Sequence, residues 1–330
     1  MADPGQRTAL VTGASGAIGW RLCLRLSEAG WRVIGLSARS AGEGPWQRYV
    51  ACDLAAPGAG AVAAKELAAE RIEVVWHLAA KAHALAELHA DGREYERINV
   101  GGTRAAVALA REIGARRIVL ASSIKAMGEG GAEVLDESAP CAPATPYGQS
   151  KLEAERVVLA ARGAIEPVVL RFCMVYGARG HGNMGRMLEA VECGRFPPFP
   201  ETGNRRSFVF VEDAVQACVL AGVAKSAAGE VFLVTDGRQY STRELFLAMR
   251  ATLGRAAPRL TPPLGMFRAA ARIGDFCESL LRRRVPLDSE TLAKLTDSSA
   301  YSSAKMIRTL GYAPAWPLAR GLAEMVKRDR

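Results

Sequence analysis

Little in this chain could hold a metal ion. Its four histidines, at 77, 83, 89 and 181, have no metal-ligand spacing. Its seven cysteines form no C-x-x-C pair and are odd in number, so they read as reduced thiols of a cytosolic protein. No apolar run is long enough for a membrane span, and Met1 to Arg7 lack the apolar core of a signal peptide. The expected location is therefore the cytoplasm, with no metal site and no integral span. Aromatics are scarce at 6%, against 49% hydrophobic residues overall, so the core must be built mainly of Ala, Val, Leu and Ile. Acidic residues are also in deficit, giving a net charge of +9. The cations are scattered rather than clustered with aromatics, which argues against nucleic acid and is compatible with phosphate-bearing small ligands.

What is present begins at Thr8. The run T-A-L-V-T-G-A-S-G-A-I-G to Gly19 is a short apolar strand meeting glycines at 13, 16 and 19. An apolar-periodic helix follows and stops near Gly30. Such a turn lets backbone N–H groups approach a pyrophosphate at a helix N-terminus. Here the spacing is G-x-x-G-x-x-G. Further on, Tyr147 and Lys151 stand at i and i+4 in P-Y-G-Q-S-K, on one face of a helix. An ammonium beside a phenol favours the phenolate, which can then exchange a proton near neutral pH. Upstream, R-I-V-L-A-S-S ends a buried strand in hydroxyls, with Ser123 available to the same reacting oxygen. A Y-x-x-x-K alone is common. The ordered set of glycine turn, strand-end serine and Y-x-x-x-K is far more specific.

Strands are expected over 8–12, 31–36, 72–78, 116–121 and 166–171, and helices over 17–29, 59–70, 97–114 and 146–162. Alternation of this kind implies a parallel sheet wound on both faces. After Gly177 the chain becomes rich in glycine and then in proline, through Phe196-Pro-Pro-Phe-Pro200, as at the start of a second lobe.

These motifs, with C-D-L at 52–54, H-L-A-A at 77–80, I-N-V-G-G-T at 98–103, V-Y-G at 175–177 and R-R-S-F-V-F-V-E-D at 205–213, resemble the extended short-chain dehydrogenases/reductases. The nearer resemblance is to the nucleotide-sugar epimerase/reductase/dehydratase group. It implies an α/β fold: a Rossmann-type doubly wound parallel sheet with a smaller C-terminal α/β substrate lobe. The Rossmann part would cover 1–178, with a strand and helix near 207–224 and a strand at 231–234 returning to its sheet, a return over 207–235. Residues 179–206 and 236–330 would form the lobe.

The resemblance also implies site residues. Ser123, Tyr147 and Lys151 would be catalytic, with Tyr147 and Lys151 also touching the cofactor. Gly13, Ser15, Gly16, Ala17, Ile18 and Gly19 would cradle the dinucleotide, with Leu54, Leu78, Ala79, Ala80 and Ser122 beside it. Asp53 resembles the acid at the adenine amino group, with a plain loop aspartate as the competing reading. Asn99 would shape the site or cap its helix. His77 reads as structural. The second strand ends Ser37-Ala38-Arg39 with no acid for a ribose hydroxyl, so NADP is preferred over NAD, unless Arg39 only stacks on adenine or faces water. Lys125, Met174, Asn183 and Arg206 would meet substrate, the neighbouring Arg205 making that arginine uncertain by one position.

The expected substrate is a nucleotide-diphosphate sugar. S-S-I-K followed by G-E is closest to reductases of 4-keto-6-deoxy amino-sugar nucleotides, and Met174 stands where Asn is frequent in R-x-x-N-V-Y-G. Dehydratase chemistry needs an acid pair beside the serine, which Ser123-Ile124-Lys125 lacks. The runner-up is a 4-epimerase with tightly held NAD. Two further readings are a dehydrogenase of hydroxysteroids or other lipophilic alcohols, and a non-catalytic dinucleotide sensor on the same fold. A homodimer through the helices at 97–114 and 146–162 is the expected assembly. Finally, Arg282-Arg283-Arg284 follow an amphipathic stretch from Leu264 to Leu281. The favoured reading is the solvated end of a packed helix, against contact with an anionic membrane or partner.

Overall fold

The computed structural model describes residues 6–40, 42–81, 92–128, 130–131, 133–177, 182–281 and 287–328. Two of the histidines, His83 and His89, together with His181 and Arg282 to Arg284, lie outside the described residues.

Among the described residues nine strands run in chain order: β1 Thr8–Thr12, β2 Arg32–Ser37, β3 Arg48–Ala51, β4 Ile72–His77, β5 Arg117–Ser123, β6 Glu166–Phe172, β7 Met174–Tyr176, β8 Phe208–Phe210 and β9 Val231–Val234. The helices are α1 Ala17–Glu28, α2 Ala59–Leu67, α3 Gly92–Tyr95, α4 Gly102–Glu112, α5 Pro146–Leu159, α6 Asn183–Glu192, α7 Val211–Val223, α8 Thr242–Thr252, α9 Leu264–Leu281, α10 Ser289–Thr296, α11 Ala304–Leu310 and α12 Leu318–Arg328.

Seven strands form one sheet in the order β3-β2-β1-β4-β5-β6-β9, and every pairing is parallel. Parallel strands buried on both faces need apolar side chains on both, and the middles of β1, β4 and β6 read Ala-Leu-Val, Val-Val-Trp and Val-Val-Leu. One face packs α1 and α7 over Leu22, Leu26, Trp76, Val119 and Ala217. The other packs α2, α4 and α5 over Leu10, Ile34, Val75, Ala106 and Ala154. This is the Rossmann-type doubly wound α/β architecture. A third core forms outside the sheet, where Met184, Leu188, Phe246, Met249 and Leu322 of α6, α8 and α12 meet Phe208 and Phe210 of β8.

Three expectations change. β3 was not expected: R-Y-V-A is too short and too polar to read as a strand, and it gains its identity by pairing with β2 at the sheet edge. The strand near 207 does not return to the main sheet. β9 already occupies the edge beside β6, and β8 pairs with β7 in a separate two-stranded sheet. The helix expected over 97–114 begins earlier, with α3, and passes through a π-helical turn at Glu96–Gly101 before α4.

Candidate active site

The sheet order reverses direction between β1 and β4, and ligands of open parallel sheets bind at the carboxyl ends of strands at such a point. Gly13 follows β1 with φ +69. A Cβ there would stand 2.7 Å from the Ala79 backbone nitrogen, so the turn passes hard against the end of β4. Gly16 N–H donates to the Gly13 carbonyl at 2.9 Å and closes the turn. A Cβ at Gly19 would stand 2.2 Å from that same carbonyl oxygen. Only glycines let the first turn of α1 sit this close to the loop. No side chain caps α1, so its first N–H groups, at Ala17, Ile18 and Gly19, are left for an anion.

A cavity of about 260 Å³ opens over this turn. Gly13, Ser15, Gly16, Ser37, Arg39, Asp53, Leu54, Leu78, Ala79 and Ala80 all line it. Ser37 is buried and its hydroxyl accepts from Ser15 N–H at 3.2 Å, tying the end of β2 to the glycine turn. Arg39 is exposed, its carbonyl held by the Tyr49 hydroxyl at 2.7 Å. Asp53 accepts from Ala55 N–H at 3.0 Å and has Arg97 3.8 Å from its other oxygen. The shape, the uncapped helix end and the absence of side chains at the glycines suit a dinucleotide.

His77, at the end of β4, is fully enclosed. Thr103 Oγ1 donates to the Asn99 carbonyl and so accepts from the His77 ring, leaving Nδ1 to accept from Thr12 Oγ1 at 2.7 Å, a hydroxyl that itself accepts from Ala79 N–H at 3.2 Å. That leaves the proton on Nε2, which donates to Thr103 Oγ1 at 3.2 Å. Burial, with the Lys151 ammonium, pushes the imidazole down to about pKa 3. A ring neutral at every ordinary pH, with both nitrogens engaged, is a structural group.

Asn99 sits in the π-helical turn, buried, and does not cap a helix. Its amide donates to Ser150 Oγ at 2.9 Å and its oxygen accepts from Lys81 N–H at 2.8 Å. Ser150 in turn donates to the Tyr147 carbonyl at 2.8 Å. The extra residue of the π turn thus links the chain after β4 to the first turn of α5.

α5 starts where Thr145 accepts from Gly148 N–H at 3.1 Å, with Pro146 in its first turn. That start brings Tyr147 and Lys151 to the carboxyl end of β5. Lys151 is buried and its ammonium donates to the Ala121 carbonyl at 2.6 Å. Burial lowers it to about pKa 8, against the opposing pull of Glu155. Ser123 ends β5 and its hydroxyl accepts from Lys125 N–H at 3.2 Å. The Tyr147 ring lies 5.6 Å from that of Tyr95, which is wholly buried.

A second cavity, of about 660 Å³, lies beyond β7 and is walled by α6, α8, α9 and α10. Met174, Asn183 and Arg206 all line it, together with Arg186, Phe196, Phe208 and Lys294. Arg206 donates to the Lys294 carbonyl, whereas Arg205 is exposed and not among the lining residues.

Not every expected site residue joins these two cavities: Ser123, Tyr147 and Lys151, gathered at the end of β5, line neither. Lys125 lies outside the larger one, in the turn after β5. Ser122 alternates with Ser123 across the strand, and its hydroxyl is given to Glu155 rather than to a cavity. Glu155 also pairs with Arg171 at 2.7 Å, both buried, and Arg171 reaches Cys141 Sγ at 3.2 Å. The sequence reading missed this Ser122–Glu155–Arg171 set. Glu155 stands at i+4 from Lys151 and i+8 from Tyr147, so the same helical face could have shown it. Among the described residues no cluster of His, Cys, Asp or Glu could hold a metal ion, and no helix is long and apolar enough to cross a membrane.

The chain is similar to proteins of known activity over most of its length. The UDP-glucose 4-epimerase of Vibrio cholerae is 30% identical over 78% of this chain and 77% of its own length. The 2-alkyl-3-oxoalkanoate reductase of Stenotrophomonas maltophilia is 29% identical over 96% of this chain and 97% of its own. The solved structure of MoeE5 in complex with UDP-glucuronic acid and NAD superposes with a TM-score of 0.75, 26% identity and coverage of 98% of this chain and 99% of its own. The model of the NAD dependent epimerase/dehydratase family matches residues 9–235, from β1 through β9. The chain belongs to that family and is an NAD-dependent enzyme of the extended short-chain dehydrogenase/reductase type.

Proposed function

We propose that this chain is a reductase of 4-keto nucleotide-diphosphate sugars, acting at C4 of the sugar ring. One observation carries the reading. The glycine turn, Ala79, Ser123 and Met174 follow one another along the carboxyl edge of adjacent strands β1, β4, β5 and β6, with one cavity over the glycine turn and a larger one, lined by both arginines and carboxylates, at the other end.

The smaller cavity would hold the dinucleotide, its pyrophosphate on the turn from Gly13 to Gly19. A bound nicotinamide would supply the hydride. Tyr147 gives its phenolic proton to the C4 oxygen, and Ser123 orients that oxygen by a hydrogen bond. Lys151, held on the Ala121 carbonyl, keeps a positive charge one helical turn from Tyr147 and favours the phenolate that remains. Asn99 and Ser150 position the first turn of α5. In the larger cavity Arg206 and Arg186 supply cations for a diphosphate beside the carboxylates of Glu278, Asp288 and Glu290, the last paired with Lys294 at 2.5 Å, and Met174, Phe196 and Phe208 supply apolar wall for a base or sugar.

NADP is proposed over NAD because Ser37 and Arg39 line the cavity where β2 ends, and no carboxylate ends that strand. Arg39→Ala is expected to weaken NADPH binding by about 1–3 kcal/mol and NADH binding far less. Calorimetric titration with both cofactors checks this, and equal losses would remove Arg39 from a 2′-phosphate site.

A second reading is a 4-epimerase with retained NAD, favoured by the name of the Vibrio cholerae relative and by the NAD in MoeE5. The Stenotrophomonas relative, named a 2-alkyl-3-oxoalkanoate reductase, favours a lipophilic carbonyl substrate as a further reading. The test is transfer of labelled hydride to C4 of a keto-sugar nucleotide.

A further inference from the structure

The sequence pattern favours a solvated end of a packed helix for the basic run after α9. That run lies outside the described residues; α9, before it, has two unlike sides. Its inner side is accounted for: Phe267 and Ala271 are buried against Phe199 and Leu292, the rings of Phe199 and Phe267 meeting at 5.2 Å. Glu278, also on that side, lines the larger cavity. The outer side is apolar and exposed. Met266 is 62% exposed, Ile273 64% and Phe276 68%, and Ala269 and Ala270 are exposed between them. These positions recur at intervals of three and four, so they share one face along the helix. Exposed Arg268 and Arg272 border that face, and exposed Arg259 precedes it beside Leu260, itself 86% exposed. The acid nearby, Asp275, is engaged by the Ser289 amide and hydroxyl at 2.9 and 2.5 Å.

We propose that the outer face of α9 docks the protein onto an anionic phospholipid surface. A convex apolar stripe with arginines along its edge is the form of a helix lying in a membrane interface, with side chains in the acyl boundary and guanidinium groups at the headgroups. The net charge of +9 draws the chain towards such a surface. A second copy fits less well. An antiparallel two-fold contact sets the same patch against itself and brings like arginine edges together. Arg282 to Arg284 carry none of this argument, and neither does the proposed reaction.

The test is co-sedimentation of the full chain with vesicles at about 150 mM salt, where exposed charges are screened beyond about 8 Å. Vesicles of phosphatidylcholine alone are compared with vesicles containing phosphatidylglycerol. Binding is expected to the anionic vesicles only. Met266→Ser with Ile273→Ser should abolish it while leaving the thermal melt unchanged, since neither side chain is buried. Arg268→Gln with Arg272→Gln should weaken it by roughly fivefold per arginine and flatten its salt dependence. The proposal is overturned by absence of binding to anionic vesicles, by undiminished binding of the Met266/Ile273 variant, or by a dimer of the wild type that this variant dissolves.

Discussion

Tyr147→Phe is expected to lower turnover by about 10²–10⁴-fold, the contribution of a positioned general acid. The change removes one oxygen and keeps the ring that packs 5.6 Å from Tyr95, so folding and dinucleotide affinity should both survive. The two readouts separate a proton donor from a packing residue. Steady-state assay should show the loss, and fluorescence titration with the dinucleotide should show none. The pH profile of the wild type gives a second check. Lys151 is held at about pKa 8 by burial, so its charge is present below that pH and is lost as pH rises through it. Reduction needs both the Tyr147 proton and the ammonium that favours its departure. The rate constant kcat/KM for reduction should therefore fall above about pH 8. Full activity in Tyr147→Phe would remove Tyr147 from the chemistry.

Gly19→Ala should have the next largest effect, and on binding rather than turnover. The new methyl would sit 2.2 Å from the Gly13 carbonyl oxygen, a backbone atom that cannot rotate away. Relief requires α1 to move off the turn, which separates the helix N–H groups from the loop that would share the pyrophosphate with them. Overpacking of this kind costs about 1–3 kcal/mol. If that cost falls on the bound state, dinucleotide affinity drops by roughly 5–150-fold, each 1.4 kcal/mol being a factor of ten. Calorimetric titration measures it, with circular dichroism to confirm the fold. Unchanged affinity would mean that the ligand does not use this turn.

The legible parts of the fold are those whose signal is local. β1, its glycine turn and the first turn of α1 are written in twelve consecutive residues, and the middles of the sheet's interior strands are apolar runs. β3 was illegible because an edge strand of four residues needs no apolar pattern, only a neighbour to pair with. β8 was misassigned because F-V-F reads as a buried strand in either sheet. What decides its partner is that β9, far along the chain, fills the place beside β6. The π-helical turn at Glu96–Gly101 has no sequence signature, yet it sets where Asn99 points.

The candidate site divides in the same way. Residues lining the smaller cavity come from strand ends whose motifs are short and recognisable, and those of the larger cavity come together from four helices and β7 and β8. Met174, Asn183 and Arg206 could be proposed singly from the resemblance. Lys294 and Phe196 could not, because nothing local in α10 or in the proline-rich segment marks them as neighbours. Ser122 was assigned to the cofactor from its place beside Ser123. Strand alternation turns its hydroxyl to Glu155, so it belongs to the buried support of α5. That support matters energetically: removing one partner of a buried ion pair such as Glu155 and Arg171 costs about 3–5 kcal/mol.

The central claim is hydride transfer to C4 of a nucleotide-linked keto sugar from an exchangeable cofactor. The most direct measurement supplies deuterium-labelled NADPH with a UDP-linked 4-keto-6-deoxy sugar and follows the product by nuclear magnetic resonance. The account predicts one deuterium at C4 for each cofactor oxidised, and loss of that label in Tyr147→Phe. Inversion at C4 of a UDP-hexose with no net cofactor oxidation and no label would contradict it in favour of an epimerase. Absence of label in any nucleotide sugar would contradict it altogether.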